Sequence, residues 1–152
     1  MNNKILTSIP EETVAPDLSV PQVNYLGIDW GRSDVGVAMA ESETRIAFAY
    51  AMLHNRPGVI DEIRRIVRKE AIGTIVIGLP SHVNRDAVDY PSEKFGDALA
   101  KRVPGTRIVY QNEMFTTKLA QRNLIERGVT HVSKHDDEEA ARIILQEWLD
   151  RQ

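Results

Sequence analysis

The chain has 152 residues, no cysteine and a formal net charge of −3. That length suits one domain with a sizeable core, and the missing thiols exclude disulfides and thiolate metal sites, so metal chemistry must use oxygen or imidazole donors. The slight acidic balance argues against a protein that holds nucleic acid by bulk charge, while allowing an acidic site with a local basic track. No apolar run approaches the roughly 20 residues of a membrane span, and the N-terminus lacks the basic-then-apolar order of a secretory signal. A cytoplasmic protein without membrane contact is expected.

Residues 1–22 (MNNKILTSIPEETVAPDLSVPQ) carry three prolines and no sustained hydrophobic period, which predicts an irregular N-terminal extension before a domain spanning 23–152. VNYLGID (23–29) is a nearly continuous apolar run, as a strand covered on both faces requires. DVGVAMA (34–40) and TRIAFAYAML (44–53) follow at hairpin spacing, so the three predict an antiparallel meander. Val59, Ile60, Ile63, Ile66 and Val67 then repeat at helical spacing, with Pro57 in a helix-opening position. TIVIGLP (74–80) predicts a buried strand closed by Pro80, and after a polar loop (81–90) come a helix over 91–103 and a fifth strand, TRIVY (106–110). Thr116 or Thr117 caps a predicted helix ending at Gly128, and a last helix is predicted over 136–150. The order implies an α/β fold: a mixed five-stranded sheet, with its first three strands antiparallel and the fourth and fifth parallel, flanked by helices.

Three acids gain interest from this order. Asp29 closes the first strand, Glu113 follows the fifth in VYQNEMFTT, and Asp137 begins the last helix. Parallel strands deliver their C-terminal ends to one edge of a sheet, so Asp29 and Glu113 can share a crevice. Ala140, Ala141, Ile144, Leu145 and Trp148 put Asp137 on the apolar stripe of its helix, and packing beside the first strand would bring it to Asp29. Converging carboxylates repel one another, and divalent cations relieve that repulsion in sites that handle phosphodiesters. The bland alternatives stay open: Asp29 as a turn acid, Glu113 as a solvated loop acid, and Asp136 and Asp137 as helix N-terminal acids with Glu139 completing a capping box.

Four segments in order, GIDWGRSDVGVA, IVIGLP, NEMFTT and DDEEAARIILQEWLD, resemble the motifs of the YqgF/RuvX family over roughly residues 25–150. Members are ribonuclease H-like nucleases described as Holliday junction resolvases and as pre-16S rRNA processing nucleases. The resemblance implies a ribonuclease H-like fold and hydrolysis of phosphodiester bonds in structured nucleic acid, either the 5′ end of an rRNA precursor or Holliday-junction-like DNA. It carries the family's acids onto Asp29, Glu113 and Asp137, with Asp136 as a fallback one residue out of register. It also implies Mg²⁺ or Mn²⁺, two ions when substrate is bound, an RNA or branched-DNA partner, and a monomer or homodimer. Arg32, Arg85, Thr116, Thr117 and Lys134 are the expected nucleic-acid contacts.

The departures are specific. Asn112 stands where the family has Asp, Met114 and Asp34 where it has Arg, and SHVNRDA where it has a Gly-containing loop. Lost phosphate contacts weaken backbone binding, so the alternative function is a catalytically weakened nucleic-acid-binding module of the same fold. GIDWG also looks like the phosphate loop of the actin and sugar-kinase superfamily, but that fold needs two lobes and this length holds one. His54, His82, His131 and His135 lack ligand spacing and read as surface or loop residues. Trp30 reads as a packing residue, and Arg64, Arg65, Arg68 and Lys69 as a solvated helix face.

Overall fold

The computed structural model describes residues 23–80, 91–113 and 134–152. Strands β1 (Asn24–Trp30), β2 (Asp34–Ala40), β3 (Phe48–His54), β4 (Ile72–Pro80) and β5 (Arg107–Glu113) form one sheet in the order β3-β2-β1-β4-β5. β1 pairs antiparallel with β2 and β2 with β3, whereas β1 with β4 and β4 with β5 are parallel. The mixed sheet is therefore the one its sequence implies. Helices α1 (Val59–Lys69), α2 (Pro91–Arg102) and α3 (Lys134–Asp150) cover it.

The two faces differ in side-chain size. Leu26, Ile28, Val35, Val37, Met39, Ile75 and Ile77 pack with Val59, Ile63 and Val67 of α1 and Phe95 and Leu99 of α2. On the opposite face the strands offer Ala38, Ala40 and Val76 to Ala141, Ile144, Leu145 and Leu149 of α3. Small residues let α3 lie close to the sheet, and Gly27 brings it closest. A Cβ built on Gly27 would stand 2.7 Å from Leu145 Cβ and 2.8 Å from the main-chain oxygen of Ala141, closer than packed atoms approach.

Several boundaries differ from the sequence reading. β3 begins at Phe48, because Arg45 takes a left-handed conformation (φ 56°) and donates its N–H to the Glu41 carbonyl, closing a turn over residues 41–45 that takes the chain off the sheet before Phe48. α1 opens after its N-cap Gly58 (φ 101°), whose carbonyl accepts the first helical hydrogen bond from the Glu62 N–H at 3.1 Å, so Pro57 precedes the helix. Asp61 and Glu62 in its first turn and Arg68 and Lys69 in its last complement the helix dipole. β5 continues beyond Tyr110 to Glu113, because Gln111, Asn112 and Glu113 pair in register with Gly78, Leu79 and Pro80. α3 starts at Lys134, so Asp136 and Asp137 lie within its first turn. The extension 1–22, the loop carrying Arg85 and the helix capped by Thr116 or Thr117 lie outside the described residues.

Candidate functional site

Asp29 occupies the penultimate position of β1, half-buried and opposite Gly36 of β2. Ile28 pairs with Ile77 across β1 and β4, which sets Asp29 level with Gly78, and Gly78 pairs with Gln111 of β5. One row of the sheet at its C-terminal edge thus reads Gly36, Asp29, Gly78, Gln111. Glu113 pairs with Pro80, two residues beyond that row on β5. Two strand spacings and two residues of rise separate the Asp29 and Glu113 backbones by about 12 Å.

Alternation along the strands decides which face these positions serve. Gly27 meets α3, and Asp29 is in phase with it. Val109 packs in the α3 cluster, so Gln111 and position 113 share that phase, while Ile108 packs in the α1 and α2 cluster. Asn112 follows the phase of Ile108 and is exposed.

The contacts of α3 fix its direction along β1. The Trp148 ring lies 5.8 Å from the Tyr25 ring, and Leu145 and Ala141 meet Gly27. Advancing along β1 therefore means retreating along α3. Asp29 lies about 6.6 Å beyond Gly27, and Asp137 one turn, about 6 Å, before Ala141. The backbone positions of Asp29 and Asp137 run toward the same end of the helix–strand contact. The side chains of Glu113, Lys134, His135, Asp136 and Asp137 lie outside the described set, and among the described residues no three acidic or imidazole side chains converge.

The expected neighbours of the site divide. Arg32 is exposed on the β1–β2 turn, at the edge where β1 ends. Trp30 points away from the α3 face and packs against the α1 and α2 cluster, which bears out its reading as a packing residue. Asp34, at the family's arginine position, faces His54 Nδ1 at 3.4 Å. Arg142 donates to Glu139 from Nε at 3.0 Å and Nη2 at 2.6 Å. That hydrogen bond and the adjacent charge hold the Glu139 carboxyl below its ordinary range, against an opposing effect of burial.

Two residues hold this edge in roles the sequence does not announce, Gly27 within the first motif and Asn55 outside the motifs. Gly27 sets the approach of α3, a role visible only once the helix is placed. Asn55 donates its Nδ2 hydrogen to the Gly31 carbonyl at 2.6 Å, while its main-chain N–H donates to the Ser33 carbonyl at 2.8 Å. Both bonds tie the end of β3 to the turn that follows Asp29. An asparagine one residue past a strand is the signal, because its amide commonly bridges turns.

Residues 23–151 match the family model described as "RuvX: Holliday junction resolvase". Proteins named "Putative pre-16S rRNA nuclease" include one from Coxiella burnetii, 31% identical over 131 residues covering 84% of this chain and 92% of that protein. One from Anaeromyxobacter sp. is 33% identical over 135 residues, covering 84% of this chain and 97% of its own. Among solved structures, the Fowlpox virus resolvase in complex with Holliday junction DNA superposes with a TM-score of 0.56 at 10% identity, over 85% of this chain and 98% of that one. Thermus thermophilus RuvC with its Holliday junction substrate gives a TM-score of 0.54 at 15% identity, over 85% and 94%. These likenesses show a ribonuclease H-like fold, and with the match across nearly all of residues 23–151 the chain belongs to the RuvX (YqgF) family.

Proposed function

We propose that the protein is a divalent-metal-dependent nuclease that hydrolyses phosphodiester bonds in structured nucleic acid, an rRNA precursor or a branched DNA. Asp29, Glu113 and Asp137 are its metal-holding carboxylates, with Asp136 the fallback for the third. The antiparallel course of α3 along β1, clamped at Gly27, carries this reading. It brings the backbone of a helix acid to the strand end that holds Asp29, on the sheet face that position 113 shares by phase.

The donor set suits the ions. Carboxylate oxygens are hard ligands preferred by Mg²⁺ and Mn²⁺, and the chain has no thiol to favour a softer metal. When bound, such ions activate water and stabilise charge on the attacking and leaving oxygens. The carboxylates position them, and Gly36 and Gly78, which flank Asp29 in its row, add no side chain beyond Cα there. Arg32, exposed at the same edge, neutralises backbone phosphate, and Asn55 holds its turn in place. Lys134, Arg85, Thr116 and Thr117, whose side chains lie outside the described set, are further nucleic-acid contacts assigned from the sequence alone.

Strand phase bears on the weakened-module alternative. Asn112 is exposed and out of phase with Asp29, so its amide replaces no carboxylate on the α3 face. Asp34, by contrast, sits beside His54 where a phosphate-binding arginine is usual, and that exchange favours reduced affinity. Titrating Mn²⁺ into the wild type and Asp29→Asn by calorimetry, with cleavage of labelled single-stranded RNA and a four-way DNA junction, separates the readings. Metal binding and cleavage that both vanish in a folded Asp29→Asn protein are expected. Cleavage unchanged in that variant would sink the catalytic assignment.

A further inference from the structure

Away from the C-terminal edge of the sheet, α1 and the connection from the end of α2 into β5 border an open recess of about 240 Å³ lined by Arg64, Arg68, Arg102, Val103, Pro104 and Thr106. That space equals roughly eight waters at their liquid volume. The acids near α1 are already engaged. Asp61 accepts from Arg102, Glu62 lies 3.6 Å from Arg56, and Glu70 accepts from the Tyr50 hydroxyl at 2.8 Å. Arg64 and Arg68 consequently have no ion pair among the described residues, and Arg64 is half-buried. They stand four residues apart on one helix, where like charges repel and cost helix stability. Two such guanidiniums facing one recess beside a third make an anion site in a chain of net charge −3.

We propose that this recess binds a backbone phosphate of the nucleic acid at a second point, remote from the cleavage edge. Arg64 and Arg68 supply the charge and the donors, and Arg102, whose own charge Asp61 balances, adds only its remaining N–H groups at the wall. Guanidinium forks match phosphate oxygens in plane and in pairs, which favours a phosphodiester over a single point contact. The inference rests on the nucleic-acid reading above but not on the identity of the metal ligands. Arg102 ends α2 and Thr106 immediately precedes β5, so the recess lies where β5 begins. The length of a seven-residue strand, about 23 Å, separates that level from the edge where β5 ends. A substrate that engages both points has to fold or branch around the domain, which gives structured nucleic acid an advantage over a short single strand.

The test uses the full chain in chelator, a fluorescein-labelled RNA hairpin, and anisotropy titrations at several salt concentrations. Arg64→Gln/Arg68→Gln removes two phosphate contacts, so affinity falls and the slope of log K against log salt becomes shallower by about 1.4 to 1.8. The melting temperature stays level or rises, since a repelling pair is gone. Arg64→Lys/Arg68→Lys restores most of the slope, because charge returns without the fork. Unchanged affinity and slope in the Gln variant would overturn the site, as would loss of binding that merely follows a lower melting temperature in both variants. Inorganic pyrophosphate supplies a further arm: if it stabilises the wild type but not the Gln variant while hairpin binding is equal, the recess serves a free phosphate ligand and the proposal fails. Cleavage that survives Asp29→Asn alongside an altered salt slope would remove the catalytic assignment and leave this site standing.

Discussion

Replacing Gly27 by alanine tests the clamp between β1 and α3 most directly. The new methyl would stand 2.7 Å from Leu145 Cβ and 2.8 Å from Ala141 O, so strand and helix must part by about 0.7 Å to reach the 3.4 Å of ordinary contact. Neither obstacle is a movable side-chain tip: one is a Cβ and the other a main-chain oxygen. No rotamer change relieves them, and Leu145→Ala leaves the obstructing Cβ in place. Overpacking of this kind costs 1 to 3 kcal/mol, and the absence of side-chain relief argues for about 2 kcal/mol. For a domain of this size that is a fall of about 8 °C in melting temperature. The same displacement shifts α3 against the strand end that carries Asp29. Since a misplacement of about 1 Å costs on the order of 100-fold in rate, a loss of at least tenfold is expected at temperatures where the variant is fully folded. Thermal melting and single-turnover cleavage of a labelled substrate measure the two effects. A Gly27→Ala protein that melts and cleaves like the wild type would refute both the clamp and the inference that α3 carries an acid to Asp29.

Two further substitutions probe other contacts. Asn55→Ala deletes the 2.6 Å bond to the Gly31 carbonyl; a loss of about 1 kcal/mol and a rise in KM larger than any fall in kcat are expected, because the loosened turn carries Arg32, and an equal kcat/KM would show that the turn holds itself. Tyr50 donates to Glu70 Oε2 at 2.8 Å, and this hydrogen bond, with burial and the Glu70 charge behind it, raises the phenol above its ordinary range. A raised folded pKa means that the stabilisation is complete below the unfolded value and disappears as pH climbs through the folded one. Urea melts should therefore show wild type above Tyr50→Phe by at most about 1 kcal/mol at pH 8, after discounting for solvent exposure, with the gap closing above pH 10. A gap that is constant with pH would exclude ionisation of this phenol as its source.

Much of this architecture is legible in the residues. β2 spans the seven positions that hairpin spacing and its flanking turns mark, and the apolar run of β1 is buried at its centre, as a strand covered on both faces must be. The β3 boundary is hidden because Thr44–Ala47 has strand-like composition. Its turn depends on Arg45 accepting a left-handed backbone, for which a non-glycine residue gives no cue, and it leaves Ile46 65% exposed. The end of β5 is hidden for the opposite reason. Gln111, Asn112 and Glu113 look like loop residues, yet parallel pairing satisfies their backbone whatever their side chains are. The clamp at Gly27 is a property of two segments more than a hundred residues apart, and local pattern cannot report it.

The β5 extension changes the meaning of the motif departures. Read as a loop, QNEM would let each residue turn toward the acids, and the exchange of Asp for Asn112 would strike the metal site. Read as pleated strand, Gln111 and position 113 share one face, and Asn112 faces away. Gln111 is 5% exposed, and its buried Nε2 has no hydrogen-bond partner among the described residues. An unsatisfied buried amide costs about 1 to 3 kcal/mol, so a purely structural position would favour an apolar residue. The polar demand at this strand end thus falls on 111 and 113, the α3 face. A carboxylate restored at 112 would add charge to the far face, away from the proposed ligands. Among the described departures, Asp34, which meets His54 at the family's arginine position, is the one that bears on affinity. Asp34→Arg should tighten nucleic-acid binding, whereas Asn112→Asp should leave metal binding unchanged. Increased Mn²⁺ affinity in Asn112→Asp would mean that the strand phase does not extend to the site.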